Sequence, residues 1–382
     1  MTLEQTLSDE GQRNTIAFSA LSFLTGTLES DSFFPPGKVA DFWGFQYLRD
    51  NDPSGMGHNT DFLTKAANNM LFILDESDRA RLIELAENQV DSINAYAEKR
   101  FPLMQAFRDL LEGNVPSGTT GLDADEVKAY SAMLYQLDGA MSFQRAEVMG
   151  GILAGLDESQ IAYLDGLRGV GMLDWPDVGD QLDPQSMDHD THVAVMTYAG
   201  DLFSWYMGSV EADVYFAPER QGTYFGSFYM KDAPAMGNSD YIIDEALTGD
   251  MGLYTLNLLD NEQAALLTDM VDAQREALLE IAATREAVSI ELRRAMEGET
   301  IDQETVMVLM DRYGELDGEI IHHYATNFAA LGHSLSNSQW TEINNLRTQI
   351  LGSLAYPSNA FLYSDPIPLP EREDVSYLFV ME

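Results

Sequence analysis

The sequence contains no cysteine, which excludes disulfides, thiolate metal sites and cysteine nucleophiles together. Basic residues are scarce too: 21 lysines and arginines, only five of them lysine, stand against 63 acidic residues and leave a formal charge of −42. Phosphate recognition needs a basic face, so nucleic acid is excluded as a partner, and an anionic membrane surface is disfavoured by the same repulsion. Long apolar runs are missing as well. The early stretch Thr15 to Thr25 (TIAFSALSFLT) follows acidic residues, lacks a basic leader and is too short to cross a bilayer, so no transmembrane segment is expected. No Walker loop, dinucleotide fingerprint, nucleophile elbow or zinc-protease helix occurs, and no enzymatic activity is expected.

What remains is ample for a folded protein, with 45% hydrophobic and 10% aromatic residues in 382. The acid is scattered along the chain, as on an evenly solvated surface that stays soluble at high salt or holds divalent cations loosely.

The chain repeats itself. An offset of 182 matches Gly26 with Gly208, Glu29 with Glu211, Asp31 with Asp213 and Tyr47 with Tyr229. An offset of 185 then matches Leu74-Asp75 with Leu259-Asp260, Gln89 with Gln274, Arg100 with Arg285, Arg108 with Arg293 and Glu112-Gly113 with Glu297-Gly298. After a loop six residues longer in the first copy, an offset of 179 pairs Leu137-Asp138-Gly139 with Leu316-Asp317-Gly318, Gln160 with Gln339 and Leu167-Arg168 with Leu346-Arg347. Two units, 1–180 and 181–382, are therefore expected, the second carrying a C-terminal tail. The Pro176 to Asp190 stretch (PDVGDQLDPQSMDHD) joins them.

The period within each unit is helical. Ala86, Val90, Ile93, Ala97, Met104, Phe107 and Leu111 form a seam mostly three and four apart, which predicts one long helix over 77–111, kinked at Pro102. Gly113 ends it, and Asp123 with Glu126 opens a return helix over about 124–154; Gly298 and Asp302 repeat the device before a helix over about 303–331. The fold class expected is all-α: two duplicated units, each a long helical hairpin with shorter helices and an aromatic loop, at 33–52 and 215–232.

Four helix starts share a pattern: Leu74-Asp-Glu-Ser-Asp78, Leu156-Asp-Glu-Ser-Gln160, Leu259-Asp-Asn-Glu-Gln263 and Leu335-Ser-Asn-Ser-Gln339. These resemble the LTxxQ motif of the Spy/CpxP-type periplasmic proteins, with Asp or Ser at the threonine and Asp78 at the first glutamine. The resemblance implies helical hairpins opened by the motif. It also implies members that dimerise and act as ATP-independent chaperones or as stress and metal sensors; two units in one chain would stand for a fused dimer.

Several residues are candidates for chemistry. Arg100 and Arg285 fall within apolar seams and need buried partners, for which the matched Asp138 and Asp317 are the candidates; such pairs, with Arg108 and Arg293, read as structural staples or as an anion or ligand pocket. His323 and Glu319 share a helix face, and His189 and His192 sit among linker aspartates, so a divalent metal is the cofactor these positions would hold; otherwise none is expected. The expectation for the whole is a non-enzymatic, periplasmic or extracellular binding or chaperone-like protein for a protein or hydrophobic client. A metal-binding or metal-responsive protein, and a self-associating structural subunit of an extracellular assembly, are the alternatives.

Overall fold

The computed structural model of the protein describes residues 7–26, 28, 61–168, 170, 174–208, 251–351 and 370–382. The two aromatic loops expected at 33–52 and 215–232 lie outside these residues. The described chain is mostly helical, as an all-α fold requires. Its first half contributes α1 (Asp9–Thr25), α2 (Asp61–Ile73), α3 (Glu76–Lys99), α4 (Phe101–Glu112), α5 (Ala124–Ala154) and α6 (Glu158–Leu167). Its second half contributes α7 (His189–Met207), α8 (Met251–Asn257), α9 (Asn261–Thr268), α10 (Met270–Ala273), α11 (Arg275–Arg293), α12 (Gln303–Ser334) and α13 (Asn337–Leu351). No helix among the described residues is long and apolar enough to cross a membrane.

The expected helix over 77–111 is divided in two. α3 stops at Lys99, Arg100 takes φ −81 and ψ −20, and α4 begins with Pro102 in its first turn, where the missing N–H costs no intrahelical bond. The position matched to Pro102 in the second half is Ala287, and α11 runs through it unbroken. Gly113 and Gly298 terminate the two arms in the left-handed region, at φ 74 and 75, and leave C-terminal carbonyls bonded. Asp123 and Asp302 then cap α5 and α12 by accepting from the N–H groups of their first turns.

α5 and α12 form the centre of the molecule. Gly314 and Gly318, one turn apart on α12, face α5 so closely that a Cβ on either would meet a main-chain Cα of α5, Ala132 or Lys128, at 2.5 Å. Tyr135 and Tyr313 stack beside this crossing with ring centroids 4.5 Å apart. Backbones this close leave no room for a side chain between the two long helices at this crossing.

The arrangement of the short helices is less local. α1, from the first half, packs on α8, α9, α10, α12 and α13 of the second, while α7, from the second half, packs on α2 and α3 of the first. The stretch from Pro176 to Asp188 that leads into α7 carries no helix and is pinned to α2 and α3: Asn69 donates to the Pro176 carbonyl, Gln181 N–H to Asn68 Oδ1, and Arg79 to Gln181 Oε1.

A two-stranded antiparallel sheet adds to the helical fold. β1 (Thr119–Leu122), which belongs to the loop that is six residues longer in the first half, pairs with β2 (Phe379–Met381) at the C-terminus, Thr119 opposite Met381 and Leu122 opposite Phe379.

Candidate functional site

The ends of α1 and α7 have no basic residue in their own last turns, so their carbonyls draw positive charge from elsewhere. At α1, Arg108 from α4 donates to the Phe23 carbonyl and lays its guanidinium 4.7 Å from the Phe23 ring centre, and Arg347 from α13 donates to Thr25 Oγ1 at 3.2 Å. At α7, Arg293 from α11 donates to the Trp205 carbonyl at 3.1 Å with its guanidinium 5.8 Å from the Trp205 ring, and Arg168 donates to the Tyr206 carbonyl at 3.3 Å. Each helix end is thus held by one arginine from each half. Phe23 and Trp205 are matched by the same offset of 182 that relates Gly26 to Gly208. Burial draws the Arg347 pKa down from its ordinary value.

A second group of charges is sealed in the interior. Arg145 of α5 lies 3.5 Å from Asp138 on its own helix and 4.0 Å from Asp201 of α7, all three side chains being 1% exposed. Ser142 bridges the pair, donating to Asp138 Oδ1 at 3.3 Å and accepting from Arg145 at 2.7 Å. Tyr198 stacks over the guanidinium at 5.6 Å and donates to Gln89, whose amide reaches on to the Met141 carbonyl and Gln144. Burial pushes the Asp201 carboxyl well above the usual carboxylate range, against the opposing pull of Arg145.

The other candidates are buried in the helical core. Arg100 is fully buried at the α3–α4 break, its guanidinium 5.3 Å from the Phe101 ring; Arg285 is buried on α11; Asp317 is buried on α12 and accepts from Ser131 of α5 at 3.1 Å. Asp138 is paired with Arg145, a residue outside the sequence candidates.

The three glutamines among the four motif positions each do two jobs. Gln160 accepts from the Asp157 N–H and donates to the Ile73 carbonyl; Gln263 accepts from the Asp260 N–H and donates to the Ser334 carbonyl; Gln339 accepts from the Ser336 N–H and donates to the Leu258 carbonyl. Each caps its own helix and bonds the carbonyl just before the leucine of another copy of the motif, Leu74, Leu335 or Leu259. Gln263 and Gln339 also exchange amide hydrogen bonds with each other. Asp78 cannot donate and instead accepts from Arg81 at 3.0 Å. Leu74, Leu156 and Leu335 are buried beneath these caps, and Leu259 packs partly buried against the core.

His189 opens α7 and His192 lies one turn on, its pKa lowered by burial and by His189 against the pull of Asp180. Glu319 and His323 sit half-buried on α12, where His323 gives its carbonyl to Asn327. Among the described residues no three histidine, aspartate or glutamate side chains come together as a metal site.

The outer face of the α11–α12 hairpin differs from the interior. Leu279 and Ile290, three turns apart on one stripe of α11, are 52% and 50% exposed, and Val308 of α12 is 64% exposed. Val308 lies one turn before Arg312, whose guanidinium crosses to Glu280 of α11 at 2.7 and 2.9 Å.

No family model, curated protein or solved structure matches this chain.

Proposed function

We propose that the chain is a non-enzymatic, exported binding protein of chaperone-like character, built from two units of the Spy/CpxP type fused in one polypeptide. Its motif glutamines and the buried Asp317 bond between helices, which supports reading them as scaffold. The observation that supports a binding role is the exposed apolar side chains of α11 and α12: Leu279, Ile290 and Val308 stand in water on a molecule with 63 acidic residues. Such a surface suits an unfolded client, held by its apolar segments and attracted by the surrounding acid when the client is basic.

The test is light scattering of reduced, aggregating lysozyme, a basic client, without ATP. Near-equimolar protein is expected to suppress the scattering, and the variant Leu279→Ser, Ile290→Ser, Val308→Ser to lose that effect several-fold while its melting curve stays within a few degrees. Unchanged scattering with the parent protein, or equal suppression by the variant, contradicts the proposal.

A further inference from the structure

The C-terminal segment 370–382 is held the way proteins hold a peptide. Gln105 of α4 clamps its backbone from both sides, donating to the Glu373 carbonyl at 2.7 Å and accepting from the Glu373 N–H at 3.1 Å. Arg372 pairs with Asp109 one helical turn along, a carboxylate only 7% exposed. Val375, Leu378 and Phe379 are buried, and the Tyr377 ring lies 6.1 Å from that of Tyr130. Main-chain bonds continue the grip: Asp123 N–H donates to the Leu378 carbonyl, β2 pairs with β1, and Glu382 N–H donates to the Gly118 carbonyl. A backbone clamp, sockets for selected side chains and an added strand together make up recognition by strand addition.

The receptor for this segment exists in one half only. β1 comes from the longer loop of the first half, and the positions that match Gln105 and Asp109 in the second are Ile290 and Arg294, which supply neither clamp nor carboxylate. The groove and the segment are therefore a matched pair, joined only through residues 352–369. Eighteen residues span at most about 60 Å, enough to reach a neighbouring molecule. A cavity of about 330 Å³ at the root of the segment is lined by Pro370–Glu373 together with Leu28, Phe101 and Pro102.

We propose that this groove is a docking site for the C-terminal segment of a second copy of the chain, and that two chains associate by exchanging residues 370–382. Every contact named above is the same whether the segment comes from its own chain or from a partner, so exchange replaces one set of bonds by an equal set. The opposing term is the charge of −42 on each copy, which makes the exchanged dimer a high-salt species.

Two charge-reversed full-length chains test this. Asp109→Arg leaves an arginine in the groove facing its own Arg372, and Arg372→Asp leaves an aspartate on the segment facing its own Asp109. When the two are refolded together in high salt, exchange matches both grooves at once, and native mass spectrometry is expected to show a heterodimer, with no dimer from either variant alone. Monomers only in the mixture would overturn the proposal. If either variant fails to fold, a fluorescent peptide of residues 370–382 added to the unaltered protein decides: a slow rise in anisotropy, lost on prior addition of excess unlabelled peptide, is expected, and a flat trace overturns it.

Discussion

Arg145 is the residue on which the interior turns. It faces two buried carboxyl groups, Asp138 and Asp201, and removing one partner from a buried ion group typically costs about 3–5 kcal/mol. Arg145→Met is expected to lower the urea midpoint accordingly, and Asp201→Asn in the same chain to recover part of the loss. The pH dependence has a definite sign. The folded pKa of Asp201 is raised by burial, so its contribution is full below the unfolded value of about 3.9 and is lost as pH rises through the folded value. Asp201→Asn should therefore gain stability relative to the parent chain at neutral pH, the difference shrinking as pH falls toward 4; a difference that grows on acidification would reverse the assignment. This cluster was not legible in the sequence because neither Arg145 nor Asp201 has a charged counterpart in the other half. By the same offsets Arg145 aligns with Tyr324 and Asp201 with Ser19, so the ion group sits where the two halves of the sequence differ. Arg100, Arg285, Asp138 and Asp317 were legible as buried for the opposite reason: charged residues matched inside an apolar seam.

At the scale of elements, the helix starts read well and the break between α3 and α4 was signalled by Pro102. Caps are local chemistry, written within four residues, so α5 begins at the position its Asp-x-x-Glu spacing implies. What local chemistry does not write is a contact across the chain: the pairing of motif glutamines, and the seating of residues 370–382 more than 260 positions from Gln105, depend on the assembled fold. The motif pairing makes a prediction at the one defective copy. In the second half Gln263 reaches the Ser334 carbonyl; the first-half equivalents are Asp78 and the Gly155 carbonyl. Asp78→Gln should add that bond and stabilise the chain by about 0.5–1.5 kcal/mol, whereas Gln339→Ala should lose a cap and a tie and cost about 1–3 kcal/mol. Thermal melts of the two variants shifting in the same direction would break the proposed equivalence of the motifs.

At the scale of the whole molecule, the sequence suggests two consecutive units, and the packing crosses between them. α1 is tied at its start to the second half, where Gln274 donates to Gln12, Arg275 to Asp9 and Leu253 N–H to Asn14, and its end receives Arg108 from the first half and Arg347 from the second. α7 is tied to the first half through Tyr198–Gln89 and Asp201–Arg145, and its end receives Arg293 from the second half and Arg168 from the first. Neither half keeps its own first helix to itself, so the chain should unfold as one cooperative body. The direct measurement is to express residues 1–180 and 181–382 as separate chains and follow each by circular dichroism and sedimentation, alone and mixed. The account predicts that each alone lacks a cooperative melt and that the mixture forms a 1:1 complex with one; two halves that each fold as stable monomers and ignore one another would contradict it.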